Sequence, residues 1–307
     1  MELVRGLSGS GRRGEGCVLT IGTYDGIHLG HQALLARLHE HAARRGAAAV
    51  LLTFEPTPRE YLAPNDPPPR LTSLRERWRI LSGAGLDYLW LLRFGEALRN
   101  LPGEDFAQLL ARELRPRVVV IGHDFRFGRH GEATAAALSA AGTRLGFEVD
   151  VLAPVTLDGE RISSSGVRAA LACGDFERAR RWLGRPWSMR ARVMPGKRLG
   201  RDLGFPTANL PLERRRAPVA GIFAVRVHGV ASAALPGVAS LGTRPTIGGV
   251  EALLEVHLFD FCGELYGREI EVEFAAKLRD EARFATLEAL TAQMQRDAAD
   301  ARRVLNG

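Results

Sequence analysis

The sequence predicts two unlike halves: a doubly wound α/β domain over residues 1–184 and an antiparallel β domain closed by a helix over residues 185–307. Three observations carry this. Short apolar runs alternate with helical-period segments through Leu152, as in a parallel sheet wrapped by helices. Gly184-Arg185-Pro186 then breaks the chain. Beyond it the runs are short, alternating and rich in valine and phenylalanine, the style of an antiparallel sheet. A length of 307 residues leaves room for two ordinary domains.

The first buried strand is Val18-Leu19-Thr20-Ile21, ending at Gly22. Asp25, Gly26, His28, Gly30 and His31 follow. Leu34, Leu35 and Leu38 fall at helical spacing, so the two histidines sit at a helix start, and Gly46 stops that helix. Ala48–Phe54 is the second strand. Glu55-Pro56-Thr57-Pro58-Arg59 and Asn65–Pro69 form a polar, proline-rich loop of the kind that builds ligand sites. Ser73 and Glu76 have capping-box spacing for a helix through Leu81. Tyr88–Leu92 is a strand, Asp105–Leu114 an amphipathic helix and Val118–Ile121 a strand. A second glycine turn, Gly122–Gly128, leads to a helix over Ala133–Leu145 and a strand over Phe147–Leu152. After the serine run of Arg161–Arg168 come helices over Val167–Ala172 and Asp175–Trp182. The second half reads as strands at Arg190–Val193, Gly221–Val227, Leu253–Phe261 and Glu269–Phe274. Leu287–Leu305 is a closing helix with Thr286 as its N-cap. Gly9–Gly14 spells GxGxxG, but it precedes the first strand, so it reads as a loop and not a dinucleotide fingerprint.

The formal charge of +7 suits phosphate-rich ligands and also loose nucleic-acid binding. Many arginines fall on helix faces, which favours a solvated surface. Cys17, Cys173 and Cys262 are far apart with no metal-ligand spacing, so they read as reduced thiols of a cytoplasmic protein. No targeting segment and no membrane span is expected.

The chemistry is densest where strands meet helix starts. A glycine turn feeding a helix N-terminus offers free backbone N–H groups and the positive dipole end to an anion, and two imidazoles on the first turn add donors. One histidine at a helix start commonly does no more than cap it; His-x-Gly-His directly after Asp-Gly asks for more. The Gly22–His31 loop, the Gly122–Gly128 turn and the serine run are all expected at C-terminal ends of parallel strands, sharing one crevice. In the serine run, hydroxyls stand at a helix start and Arg168 lies one turn further in, where a guanidinium can clamp a phosphate oxygen. There is no Walker motif. The combination suits nucleotidyl transfer, in which a substrate phosphate attacks the α-phosphate of a nucleoside triphosphate and pyrophosphate leaves.

In the second half, Gly196, Gly200 and Gly204 are spaced by four and interleaved with Lys197, Arg198 and Arg201, a pattern that permits a phosphate-approaching flap. Thr207 and Asn209 are short oxygen donors suited to Mg2+ and phosphate. The plainer alternative is a basic hairpin before an edge strand. Period-two alternation puts Leu254, Val256 and Leu258 on one face and Glu255 and His257 on the other.

GTYDGIHLGH with ISSSGVR resembles the HxGH nucleotidyltransferase superfamily. TFEPTPRE, PPRLTSLRER, IGHDFRFG and RISSSGVR, in that order, resemble the FMN adenylyltransferase half of bacterial bifunctional riboflavin kinase/FAD synthetases. GKRLGRDLGFPTANL, AGIFAVRV, LGTRPTIGG, LEVHLFDFCGELYG and KLRDEARF resemble the riboflavin kinase module. Together the resemblance covers nearly the whole chain. It implies a Rossmann-like nucleotidyltransferase domain (1–184) and a small antiparallel β-barrel kinase domain (185–307). It implies ATP, riboflavin and FMN as substrates, FAD as product and Mg2+ as the metal.

By that resemblance His28, His31 and Arg168 act in adenylyl transfer, with Gly22, Tyr24, Asp25, Gly30, Asp124, Phe127, Ser164 and Ser165 at its ATP site. Glu255 is the kinase base for the riboflavin terminal hydroxyl. Gly196, Arg198, Gly200, Gly204, Pro206, Thr207 and Asn209 hold its ATP, with the metal at Thr207 and Asn209. Phe54, Arg126, Arg279 and Asp280 face flavin. Relatives often carry asparagine-phenylalanine at Thr23-Tyr24, histidine at Thr57 and threonine at Val256. Small-molecule partners are expected, without nucleic acid or membrane; oligomeric state is left open. Two rivals stand beside this reading: transfer to another phosphorylated metabolite, and a flavin-sensing or RNA-binding regulator that reuses the folds.

Overall fold

The computed structural model describes residues 1–6, 16–196, 204–212, 216–246 and 249–306. The Gly9–Gly14 loop and flap residues Lys197, Arg198, Gly200 and Arg201 lie outside them. The chain forms two compact units, residues 1–68 with 77–163, and residues 69–76 with 164–307.

In chain order, the strands and helices through residue 163 are β1 (Glu2–Arg5), β2 (Cys17–Ile21), α1 (Leu29–Arg45), β3 (Ala48–Glu55), α2 (Pro58–Leu62), α3 (Leu74–Ser82), β4 (Tyr88–Arg93), α4 (Glu96–Arg99), α5 (Gly103–Glu113), β5 (Pro116–Gly122), β6 (Arg126–Phe127), β7 (Ala133–Thr134), α6 (Ala135–Leu145), β8 (Glu148–Leu152), β9 (Thr156–Leu157) and β10 (Glu160–Arg161). Six strands make a parallel sheet in the order β1-β4-β3-β2-β5-β8. The central strands are apolar along their length because helices cover both sides. Leu19, Ile21, Val119 and Ile121 pack with Phe106 and Leu110 of α5 and Leu138 of α6. Val18, Val118 and Val120 pack on the other face with Leu35 and Leu38 of α1. The sheet is therefore doubly wound, as expected. From β2 the chain winds one way through β3 and β4, then returns to place β5 and β8 on the other side of β2. The winding direction reverses between β2 and β5, and ligands of open α/β sheets bind outside the strand ends at such a reversal.

The expected helix ends are present where capping chemistry supplies them. Gly46 closes α1 in a left-handed conformation, its N–H bonding to Ala42 and Ala43 carbonyls. Two features of this region were not expected. The loop after β3 contains α2, started by a capping box between Thr57 and Glu60. The serine run does not follow a parallel strand; it follows the antiparallel ribbon β9–β10. Asp158 and Gly159, both at positive φ, turn that ribbon, and Asp-Gly is a short-hairpin signal.

The second unit continues with α7 (Ser164–Ala172), α8 (Phe176–Leu183), β11 (Ser188–Arg192), β12 (Ala208–Pro211), β13 (Gly221–His228), β14 (Leu235–Thr246), β15 (Gly249–Leu258), β16 (Glu269–Arg279) and α9 (Leu287–Asn306). Six antiparallel strands in the order β11-β16-β13-β14-β15-β12 form a nearly closed barrel. The Met194 N–H donates to the Asn209 carbonyl at 2.8 Å, bridging the chain just beyond β11 to β12. Ala301 and Leu305 of α9 pack on Ala224 and Phe259. Thr286 caps α9, as expected, by accepting from the Ala289 N–H. The sequence reading gave no strand at β14; Pro-Gly is ordinarily a turn signal, yet Pro236 pairs with Arg226 in the ladder.

Candidate active sites

The first site grows from the end of β2. Tyr24, Gly26 and Ile27 all take positive φ between Gly22 and His28. For tyrosine and isoleucine that conformation is strained, and such strain persists only where the surroundings over-determine it. The Tyr24 hydroxyl shares a 2.7 Å hydrogen bond with Thr20 Oγ1, and burial pushes the phenol's pKa up. Ile27 is buried, and its carbonyl accepts from Gln32 Nε2 at 3.0 Å.

This turn sets three rings in a row. Tyr24 stacks on His31 with centroids 4.6 Å apart, and His31 stacks on His28 at 3.7 Å. Two glycines permit it. A Cβ on Gly30 would lie 3.1 Å from the His28 ring, and one on Gly22 would lie 3.1 Å from the Tyr24 ring. His28 is the N-cap of α1, its Nδ1 accepting from the His31 backbone N–H at 3.3 Å. An accepting Nδ1 carries no proton, so neutral His28 bears its hydrogen on Nε2. Burial, then the neighbouring His28, hold the His31 pKa well below the usual imidazole range. His31 Nδ1 is buried with no hydrogen-bond partner among the described residues. Asp25 is buried within the same turn.

The turn after β5 lies at the other side of the reversal. Phe127 is held between Phe106 and Phe125, and Arg126 beside it is exposed. The Asp124 carboxylate accepts from Arg161, which ties this turn to the lead-in of the serine run. Partial burial opposes ionisation of Asp124, but Arg161 and His123 outweigh it and lower the pKa. Phe54 packs in the core, edge-on to Phe94 at 6.0 Å. Thr57 is occupied in capping α2.

Sequence reasoning gave no role to Arg161, and it read Arg77, in Arg75-Glu76-Arg77, as part of a solvated helix face, which its burial corrects. Arg77 is almost completely buried under the histidine turn, with Nη1 2.7 Å from the Thr23 carbonyl and Nη2 2.7 Å from Glu55. One signal was available: Arg77 precedes Leu81 by four residues on the buried face of α3.

Ser164, Ser165 and Arg168 belong to the second unit. Both serines lie in the first turn of α7, which begins at Ser164, three residues before the expected start at Val167. Arg168 Nε donates to the Pro69 carbonyl at 2.6 Å.

The barrel carries the other site. Val256 and Leu254 are fully buried and Glu255 is half-buried on the opposite face, as the alternation predicts. Glu255 is flanked in register by Asn209 on β12 and Ser240 on β14. The Asn209 amide donates to the Thr207 carbonyl at 3.4 Å. A Cβ on Gly196 would lie 2.3 Å from Asn209 Nδ2, so only glycine lets the chain cross that side chain. Gly204, at φ 80°, starts the segment through Pro206 to Thr207. The Pro206 carbonyl accepts from His257 Nδ1 at 2.9 Å. Arg279 makes a two-pronged ion pair with buried Asp297, at 2.8 and 2.6 Å. Asp280 is exposed and pairs with Lys277 at 2.6 Å.

A strained, histidine-bearing helix start at a sheet reversal and a half-buried strand glutamate beside an asparagine are two separate chemistries on one chain. The family model for FAD synthetase matches residues 11–166, and the model for riboflavin kinase matches residues 183–305. The class is thus a two-activity, flavin-nucleotide-forming transferase. The chain is 44% identical over 304 residues to the bifunctional riboflavin kinase/FMN adenylyltransferase of Escherichia coli K12, covering 98% of this chain and 97% of that one. It is 45% identical to the Pseudomonas fluorescens enzyme of the same description, with the same coverage. A crystal structure described as a macrolide-efflux protein from Streptococcus pneumoniae matches with a TM-score of 0.79 at 29% identity, over 97% of each chain. Among the described residues, no helix is long and apolar enough to cross a membrane.

The chain belongs to the bifunctional riboflavin kinase/FMN adenylyltransferase family. It phosphorylates riboflavin with ATP to give FMN, and it transfers the adenylyl group of a second ATP to FMN to give FAD and pyrophosphate.

Proposed function

We propose that the two reactions run at the two sites built above, adenylyl transfer within residues 1–184 and phosphorylation within residues 185–307. The observation that carries the first assignment is the Tyr24–His31–His28 stack at the start of α1. His28 Nε2–H and the α1 N-terminus donate to the α-phosphate of ATP as a phosphate oxygen of FMN attacks it. The Nε2–H of His28 can follow the charge that develops on the transferring group, and His31, whose pKa burial lowers, backs that ring. Gly22, Asp25 and Gly30 shape this ATP site. Asp124 and Phe127 bind ATP with them, and Ser164, Ser165 and Arg168 hold the triphosphate. Arg126 offers an exposed guanidinium to the flavin phosphate, and Phe54 acts from the core at the end of β3.

At the kinase site, Glu255 takes the proton of the riboflavin terminal hydroxyl as that oxygen attacks the γ-phosphate. Gly196, Gly204, Pro206, Thr207 and Asn209 form the ATP loop, together with Arg198 and Gly200. Thr207 and Asn209 supply neutral oxygen donors. These suit Mg2+, which keeps several waters and takes its charge partners largely from substrate phosphates. When bound, Mg2+ neutralises phosphate charge. Arg279 and Asp280 lie on the flavin side. The enzyme works in the cytoplasm on small molecules, without nucleic acid or membrane.

The test is chromatographic. Purified chain with riboflavin, Mg2+ and ATP should yield FMN and then FAD, and omitting Mg2+ should stop both. Glu255→Gln should abolish FMN formation while FAD still forms from supplied FMN, and His28→Ala should do the reverse. Loss of both activities in either folded variant would refute the two-site assignment.

A further inference from the structure

Arg77 is the most deeply buried charged residue among the described residues, at 2% exposure, and it lies beneath the histidine turn. Its Nη1 donates to the Thr23 carbonyl at 2.7 Å, and its Nη2 donates to Glu55 at 2.7 Å. Thr53 Oγ1 donates to the same carbonyl at 3.4 Å and itself lies 3.5 Å from Nη1. Burying an arginine is weak as a stabilising device, because desolvation consumes most of the Coulombic gain. Four residues on, the same helix face carries Leu81, which fills the core without that cost. What an arginine supplies and a leucine cannot is a rigid planar fork that fixes two acceptors at once.

The carbonyl it grips belongs to the peptide between Thr23 and Tyr24. Tyr24 is the first residue of the turn at positive φ, and its ring is the outer member of the three-ring stack. Rotating that peptide would move the Tyr24 ring away from His31, and His31 is the ring on which His28 rests. We infer that Arg77 is a positioning residue for adenylyl transfer: by fixing the Thr23 carbonyl it holds the Tyr24, His31 and His28 rings in register. The inference rests on the assignment of adenylyl transfer to the histidine turn.

The test uses the full-length chain. Arg77→Lys keeps the charge opposite Glu55 but cannot bridge both acceptors in one plane. Its kcat for adenylyl transfer from ATP to FMN should fall about tenfold to a hundredfold, as expected for a misplaced catalytic geometry. KM for ATP should stay within about threefold, because ground-state binding is not what is lost. Riboflavin kinase turnover in the same preparation should not change. Long-range 1H–15N spectra of the imidazoles should show the His28 and His31 ring nitrogens shifted. A kcat within about twofold of wild type, or a fallen kcat with unshifted imidazole signals, would overturn the inference. If Arg77→Lys does not fold, Thr53→Val replaces it, since it removes one hydrogen bond to the same carbonyl. There a loss of about threefold with the same imidazole shift is expected, and an unchanged kcat overturns the inference. His28→Ala is run alongside. If it retains adenylyl transfer, the site assignment fails; if it is inactive while the Arg77 variant is normal, only the role of Arg77 fails.

Discussion

The His28 ring lies almost parallel to the His31 ring, with centroids 3.7 Å apart, and the residue between their backbones that makes room for this is Gly30. The pair is one unit: the ring of His28 caps the helix through the His31 N–H, and the ring of His31 supports it from the other side.

Gly30→Ala should therefore separate the two rings. The new Cβ would sit 3.1 Å from His28 Cε1 and Nδ1, and the cap would have to tilt. FAD formation from FMN should fall at least about tenfold, with riboflavin phosphorylation unchanged. Steady-state assays of both activities on one preparation check this.

His31 should make the fold acid-sensitive. Its folded pKa is lowered by burial and by His28, so below the ordinary imidazole pKa the unfolded chain binds a proton that the folded chain does not. Stability is full above that pKa and is lost as pH falls toward the lowered folded value. Thermal unfolding followed from pH 7 to pH 5 should show a falling midpoint, and the fall should be shallower in His31→Gln.

Asp297 should support the kinase from a distance along the chain. It holds Arg279 by two hydrogen bonds and also accepts from Gln293 at 2.8 Å. Asp297→Ala leaves a half-buried guanidinium without its carboxylate, at a cost of about 3 kcal/mol. The second unit should melt earlier and riboflavin phosphorylation should weaken, while FAD still forms from supplied FMN. Calorimetry and the two activity assays decide it.

The three cysteines should differ sharply toward alkylation. Cys17 is buried in the central strand β2, its thiol donates to the Leu114 carbonyl at 3.4 Å, and burial pushes its pKa up to about 12. Cys173 and Cys262 are exposed. Iodoacetamide on the native protein should modify Cys173 and Cys262 and spare Cys17, as peptide mass spectrometry will show.

The sequence by itself determined the periodic elements and their ends. Val18–Ile21, Val118–Ile121 and the alternation around Glu255 are local patterns, and local sterics and hydrophobicity enforce them. The caps at Gly46, Ser73 and Thr286 are equally local, and the histidine turn and serine run could be picked out by residue type and spacing. Even the two segments misread between β3 and the serine run carried local signals, Asp158-Gly159 for a hairpin and Thr57-x-x-Glu60 for a capping box. Tertiary structure alone decided the strand order, which puts the winding reversal between β2 and β5, because pairing between distant strands depends on burial of both sheet faces. It likewise decided the register that sets Glu255 beside Asn209. It also decided that Arg77, distant in sequence from Thr23, grips that residue's carbonyl: a helical period can bury an arginine, but only packing against another element gives the buried charge something to hold.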